Sequence, residues 1–214
     1  MSDPRGVIFD LDGVLIHTDE LHFHAWSQIA KRLGIPFTRE DNDRLRGVSR
    51  EDSLDIILAL GGPEVSATEK AVLADEKNAI YRRLLGQLSP ADVDPAVRET
   101  LAELRRRGLR LAVGSSSKNA KMILERTGLR ESFDAVSDGE NVTRSKPDPE
   151  VFLMAAQFLA LQPAQCVVVE DAGAGIAAAH DGGFPCFGLG DAAQHPDVTW
   201  RIDKVEDVLE HLAV

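Results

Sequence analysis

Gly6-Val7-Ile8-Phe9-Asp10-Leu11-Asp12-Gly13-Val14-Leu15 is the stretch from which the fold is read. A short apolar run bounded by glycine and aspartate has the pattern of a strand buried on both faces. Asp10 and Asp12 alternate with apolar neighbours, so both carboxylates leave the strand end on one side. Carboxylates this close repel unless a cation lies between them or one holds a proton. Magnesium takes oxygen ligands and keeps water and phosphate oxygens in its shell. Gly13 lets the backbone turn sharply and approach a ligand closely. A capped turn with two solvated aspartates is the plain alternative. The position after the first strand, with glycine and an apolar residue next, favours a functional site.

Similar runs recur downstream. Leu109-Arg110-Leu111-Ala112-Val113 ends at Gly114-Ser115, and Cys166-Val167-Val168-Val169 ends at Glu170-Asp171. Phe133-Asp134-Ala135-Val136 and Pro185-Cys186-Phe187-Gly188 are weaker examples. Helical patterns fill the intervals at 96–107, 119–127, 149–159 and 172–180. Gly128 is a stop signal for the second, and Pro149 suits the first turn of the third. The alternation predicts an α/β fold, a Rossmann-like parallel sheet core with helices on both faces.

The interval 18–88 breaks that alternation, because it holds helical patterns only, at 19–33, 49–60 and 66–85. Ser49, with Asp52 three residues on, reads as a variant capping box. The expected organisation is a core of 1–17 and 89–214 with an inserted all-α helical cap at 18–88. The insertion falls just past the first strand's carboxyl end, where open α/β folds bind ligands. A helical lid over a site is the economical reading.

Composition narrows the function. Of 214 residues 43% are apolar, enough for a substantial core. The net charge of −11 opposes nucleic acid and anionic membrane, so neither is an expected partner. An anionic substrate would need local cations, metal or backbone N–H groups. Cys166 and Cys186 lie in apolar runs and read as two small buried thiols. No charged leader and no long apolar run is visible, so a cytoplasmic monomer is expected.

Asp-x-Asp-Gly-Val after the first strand resembles the haloacid dehalogenase superfamily of phosphotransferases. The resemblance implies Mg2+, with Asp10 attacking phosphorus to form an aspartyl phosphate. It implies that Asp12 shuttles the substrate's proton and turns its main-chain carbonyl to the metal. Three further corners follow in the family's order. Ser115 stands at the second strand's end, where a hydroxyl and adjacent N–H groups can hold phosphoryl oxygens. A serine-rich helix cap would look the same. Lys146, in Ser145-Lys146-Pro147-Asp148-Pro149, would neutralise charge on the group in flight. Glu170 and Asp171 complete the metal set with Asp10 and Asp12. An acidic pair at a helix start would by itself be ordinary.

Residues of the insertion point to a sugar-phosphate mutase branch. Thr18, His22 and Trp26 are spaced by four and share a helix face. Packing is the plain reading of Trp26. Arg50, in Gly47-Val48-Ser49-Arg50-Glu51-Asp52-Ser53, can hold a phosphate in bidentate fashion. With Gly47, Ser53, Lys77 and the loop Ser115-Ser116-Ser117-Lys118-Asn119, these residues resemble that branch along nearly the whole chain. The resemblance implies interconversion of β-glucose 1-phosphate and glucose 6-phosphate through a sugar bisphosphate. Two phosphate subsites follow, a proximal one at Asp10, Ser115, Lys146 and magnesium, and a distal one at Arg50, Ser117 and Asn119 near Lys118. His17, where the family usually has aspartate, and Ser116, in place of alanine, are departures. A sugar-phosphate phosphatase on the same scaffold is the rival, and a non-catalytic phosphate-binding protein a remote one.

Overall fold

The computed structural model describes residues 4–212. The outermost ends of the expected core, 1–3 and 213–214, lie outside the described residues. Six strands form one sheet: β1 (Gly6–Phe9), β2 (Arg110–Gly114), β3 (Ala135–Ser137), β4 (Cys166–Glu170), β5 (Cys186–Leu189) and β6 (Trp200–Ile202). Their order is β3-β2-β1-β4-β5-β6, with every neighbouring pair parallel. The order reverses at β1, which makes its carboxyl end the switch point where such sheets open a crevice. Register sharpens this. Phe9 sits beside Val113 and Val169, so Asp10, Gly114 and Glu170 emerge at one edge.

Alternate residues of the strands enter two cores, as the period of two demands. Val7, Phe9, Leu111, Val113, Val167 and Val169 pack on one face with Leu101, Leu104, Ile123 and Leu124. Ile8, Ala112 and Val168 pack on the other with Phe152, Ala155, Ile176 and Ala179. Each large aliphatic or aromatic side chain buried this way contributes roughly 1.5–3 kcal/mol.

Between β1 and β2 the regular elements are all helical, beginning with α1 (Asp19–Leu33), α2 (Arg39–Asp43), α3 (Arg50–Ala59), α4 (Ala67–Leu85) and one short 3-10 turn. Trp26, Ile29, Leu54, Ile57, Leu73 and Tyr81 of this insertion join the first core cluster. The remaining helices are α5 (Pro95–Arg106), α6 (Ala120–Thr127), α7 (Glu150–Phe158), α8 (Gly173–Asp181) and α9 (Val208–His211).

Helix α1 has the bounds its sequence signals. Asp19 and Glu20 open it, Lys31 and Arg32 close it, and Gly34 stops it in the left-handed region at φ 72. In α3 only half of the expected capping box forms. The Ser49 hydroxyl accepts from the Asp52 N–H at 3.0 Å, but the Asp52 carboxylate takes the hydroxyls of Ser49 and Ser145 instead of returning to the Ser49 N–H. Three of the strands and α-helices were not expected, the four-residue α9 among them. Helix α2 is set by a full capping box between Thr38 and Asp41, and β6 is a three-residue edge strand too short for a clear alternation. Cys166 and Cys186 are both free and buried. Among the described residues no helix is long and apolar enough to cross a membrane.

Candidate active site

The edge formed by β1 and β4 carries a carboxylate cluster. Asp10, Glu170 and Asp171 each offer an oxygen, all within 4.8 Å of one another. Lys146 reaches in from the loop before α7. Its ammonium lies 2.5 Å from Asp10 Oδ1 and 2.6 Å from Glu170 Oε1, fully buried. The second oxygen of Glu170 accepts the Ala172 N–H at 2.8 Å, which fixes the carboxylate's rotation. Lys146 is joined to Pro147 by a cis peptide bond.

Two glycines make room for these acids. A Cβ on Gly175 would stand 1.8 Å from Glu170 Oε1, and one on Gly13 would stand 2.1 Å from Asp171 Oδ2. Gly13 also has φ +94, which strains any side chain.

Three acids surround one ammonium. Burial pushes the Asp10 carboxyl well up, against the pull of Lys146, with Glu170 and Asp171 adding to the rise. Burial, then Glu170, pushes Asp171 up to about 7, while Arg46 works the other way. Burial pulls the Lys146 pKa down, but Asp10 and Glu170 outweigh it and hold the pKa above the ordinary lysine range. Positive charge is therefore in deficit here, and the donors are all oxygens. That set fits a hard divalent cation. The Asp12 carboxylate stands outside the cluster of three.

Asp12 faces the insertion. Its Oδ1 accepts the hydroxyl of Thr18, which leaves α1 without a side-chain cap although Thr18 occupies the cap position. Burial pushes the Asp12 carboxyl up, and the Thr18 bond, Lys146 and Lys77 pull it down. Beside it, Lys77 Nζ lies 3.0 Å from His22 Nδ1 and packs over the rings of Trp26 and Tyr81. Burial and the neighbouring cations Lys77 and Arg50 hold His22 well below the usual histidine range. An ammonium only donates, so Nδ1 accepts this bond whenever Lys77 is protonated.

After β2 the chain forms the serine loop. The buried Ser115 hydroxyl accepts the Ser117 N–H at 3.1 Å, and the Ser117 hydroxyl accepts the Asn119 N–H at 3.2 Å. Ser116 Oγ donates to the carbonyl of Gly47 at 3.2 Å, and Lys118 approaches Glu51 at 3.5 Å. Asn119 is buried and bonded to Asn78 and Arg82 of α4. Arg50 lies 3.8 Å from the exposed Asp75.

These groups share one cavity of about 930 Å³. The sheet edge contributes Asp10, Asp12, Lys146 and Asp171; the insertion contributes His22, Trp26, Gly47, Arg50 and Ser53; the loop contributes residues 115–119. Thr18, Lys77 and Glu170 stand behind that wall and act on it through Asp12, His22 and Lys146. The Ser53 hydroxyl donates to the Ser49 carbonyl at 2.7 Å, inside its own helix. Four participants were not among the expected site residues. Tyr81 lines the cavity and sets its buried hydroxyl beside Thr18 and Asp12. Arg46 faces Asp19 and Asp43. Asp52 bonds to Ser145, next to Lys146. Arg82 reaches Asn119 from outside.

The family description haloacid dehalogenase-like hydrolase matches residues 4–183. The chain is 43% identical to a β-phosphoglucomutase of Bacillus subtilis over 188 residues, 87% of this chain and 83% of that protein. It is 33% identical to a phosphorylated carbohydrates phosphatase of Thermotoga maritima, over 84% of this chain and 82% of the other. The crystal structure of a β-phosphoglucomutase from Clostridium difficile superposes with a TM-score of 0.92 at 32% identity, covering 98% of this chain and 95% of that one.

Proposed function

The chain belongs to the haloacid dehalogenase-like hydrolases, and on that premise we propose that it is a phosphotransferase interconverting β-glucose 1-phosphate and glucose 6-phosphate. The observation that carries this reading is that one cavity is lined both by the Asp10–Lys146 cluster and by a second anion-binding set, Arg50 with Ser117, Lys118 and Asn119. A phosphatase needs the first set. A mutase needs both, because its intermediate carries two phosphates.

Asp10 is the nucleophile. Its carboxylate oxygen forms a bond to phosphorus as the bond from phosphorus to the sugar oxygen breaks, giving an aspartyl phosphate. Asp12 delivers the proton to the departing sugar oxygen and, in the reverse step, removes it from the hydroxyl that attacks. A carboxyl pushed up by burial suits that exchange. Lys146 and Ser115 hold the phosphoryl oxygens in flight. Asp10, Glu170, Asp171 and the main-chain carbonyl of Asp12 would hold Mg2+, which would neutralise charge on the transferring group.

Residues 18–88 act as a lid on the core made by 1–17 and 89–214. Support comes from bonds across the divide: Ser116 to Gly47, Asp52 to Ser145 and Asn119 to Asn78. Closure excludes water, which would otherwise hydrolyse the aspartyl phosphate. The strongly acidic chain suits a cytoplasmic monomer that binds neither nucleic acid nor membrane.

The likeness to the Thermotoga maritima phosphatase supplies the second reading, a sugar-phosphate phosphatase. Phosphorus NMR of β-glucose 1-phosphate with Mg2+ and a trace of glucose 1,6-bisphosphate separates the two. Glucose 6-phosphate should accumulate, faster with more bisphosphate. Free phosphate released as fast as substrate disappears would replace the mutase reading with the phosphatase one.

A further inference from the structure

Asn119 stands at the N-cap of α6, a position where asparagine ordinarily turns its side chain back to cap the helix. It makes no such bond. Its amide is drawn the other way, to α4 of the insertion. Oδ1 accepts from Arg82 Nη1 at 3.0 Å, and Nδ2 donates to Asn78 Oδ1 at 2.9 Å. An asparagine amide can flip and present either end. Asn78, itself an amide, can follow a flip. Arg82 cannot, because a guanidinium only donates. It admits only the orientation with Oδ1 towards itself. One Nδ2 hydrogen then remains without a protein partner, on a buried side chain that lines the cavity.

We propose that Arg82 is a positioning residue that locks the Asn119 amide so that it offers an N–H donor, and not its carbonyl, to the distal phosphate, and does so only while the insertion is closed on the core. The inference rests on the mutase reading for the identity of that phosphate. Arg82 is exposed and outside the cavity lining. It therefore acts on the substrate through Asn119 and not by touching it. Losing it lets the amide turn its oxygen to the anion, which converts an attraction into a repulsion.

The test compares the native protein with Arg82→Leu and Arg82→Lys. Loss of one oriented donor to a charged group corresponds to about a tenfold effect. Arg82→Leu should raise KM for β-glucose 1-phosphate about tenfold with kcat within about twofold. Arg82→Lys, also a pure donor, should restore most of the loss. The Asn119 side-chain amide resonances should shift on titration with glucose 6-phosphate in the native protein, and Arg82→Leu should bind about tenfold more weakly. A native protein that binds without turnover would sink the mutase reading and leave this inference standing. Equal affinity in Arg82→Leu would overturn the inference and leave the mutase reading standing. So would a deficit that vanishes in 1 M salt, where a Debye length of about 3 Å removes a merely long-range charge effect. A parallel fall in kcat and thermal midpoint would overturn it as well.

Discussion

Lys77 Nζ lies 3.0 Å from Nδ1 of His22, over the rings of Trp26 at 4.8 Å and Tyr81 at 4.6 Å. The lysine is buried, and Asp12 is the acid that acts on its charge. Burial, then Arg50, brings its pKa down to about 7, with Asp12 working the other way.

A buried lysine of this kind makes stability depend on pH, with a definite sign. The folded group releases its proton near 7 and the unfolded group near 10.5. Between those values the unfolded chain binds more protons, so this residue's contribution rises with pH. Its cost is fully present below pH 7 and disappears by about pH 10.5, a difference on the order of a few kcal/mol. Cation–π contact with Trp26 and Tyr81 offsets part of it. Lys77→Met should therefore melt above the native protein at pH 6, with the gap closing towards pH 10. Parallel melting curves across that range would contradict the account.

Asp10→Asn tests the nucleophile and the cation together. Turnover should fall at least about a thousandfold. Ionised Asp10 is opposed by burial and by three neighbouring acids, Glu170, Asp171 and Asp12. Without divalent ion, the variant should thus be at least as stable as the native chain. Magnesium should raise the native thermal midpoint, by the equivalent of about 2.7 kcal/mol at a hundred times Kd. The variant should gain much less. Calorimetry with and without MgCl2 reads both effects, and an equal magnesium gain in the two proteins would exclude Asp10 as a ligand.

Gly175→Ala acts on the same cluster without removing a charged group. Its Cβ would overlap Glu170 Oε1, the oxygen that holds Lys146. Either Glu170 rotates away and the lysine loses a partner, or α8 shifts from the sheet edge. Both misplace groups that must be aligned to within a fraction of an ångström. A loss of about a hundredfold in kcat is expected, with KM less affected. Steady-state kinetics check this, and native kcat would show that Glu170 does not hold the lysine for chemistry.

The sheet and the acidic corners were legible because their signals are local. A strand's apolar run and the carboxylate ending it are adjacent in sequence, so Asp10, Glu170 and Asp171 could be placed at one edge from that pattern together with the family resemblance. What joins the insertion to that edge was not legible. Arg82 and Asn119 are 37 positions apart, and Asp52 and Ser145 are 93 apart. Such partners are chosen by packing, which no window of sequence contains. Two helix caps mark where this matters. Thr18 and Asn119 both hold N-cap positions and neither caps, because Asp12 claims one side chain and α4 the other. Strand β6 was missed for a different reason. Its three residues gain their place from pairing with β5, not from a pattern of their own.

Arg50→Ala tests mutase against phosphatase chemistry. Its guanidinium is mostly buried, yet among the described residues its one ion pair is 3.8 Å long, to an Asp75 side chain 85% exposed. Such a pair contributes roughly 0–1 kcal/mol and leaves the guanidinium available to an anion. Arg50→Ala should therefore change the melting temperature little. It should lower mutase flux about a hundredfold, since the bisphosphate loses its distal anchor, and lower hydrolysis of the proximal phosphate less than tenfold. The substitution also has an internal readout, because Arg50 is one of the cations that hold the pKa values of His22 and Lys77 down. Both should rise in the variant, and the Lys77-linked rise in stability should begin at higher pH. Phosphorus NMR of isomerisation and phosphate release in one sample gives the ratio. An equal loss in both reactions would mean that Arg50 serves the lid as a whole and not a second phosphate.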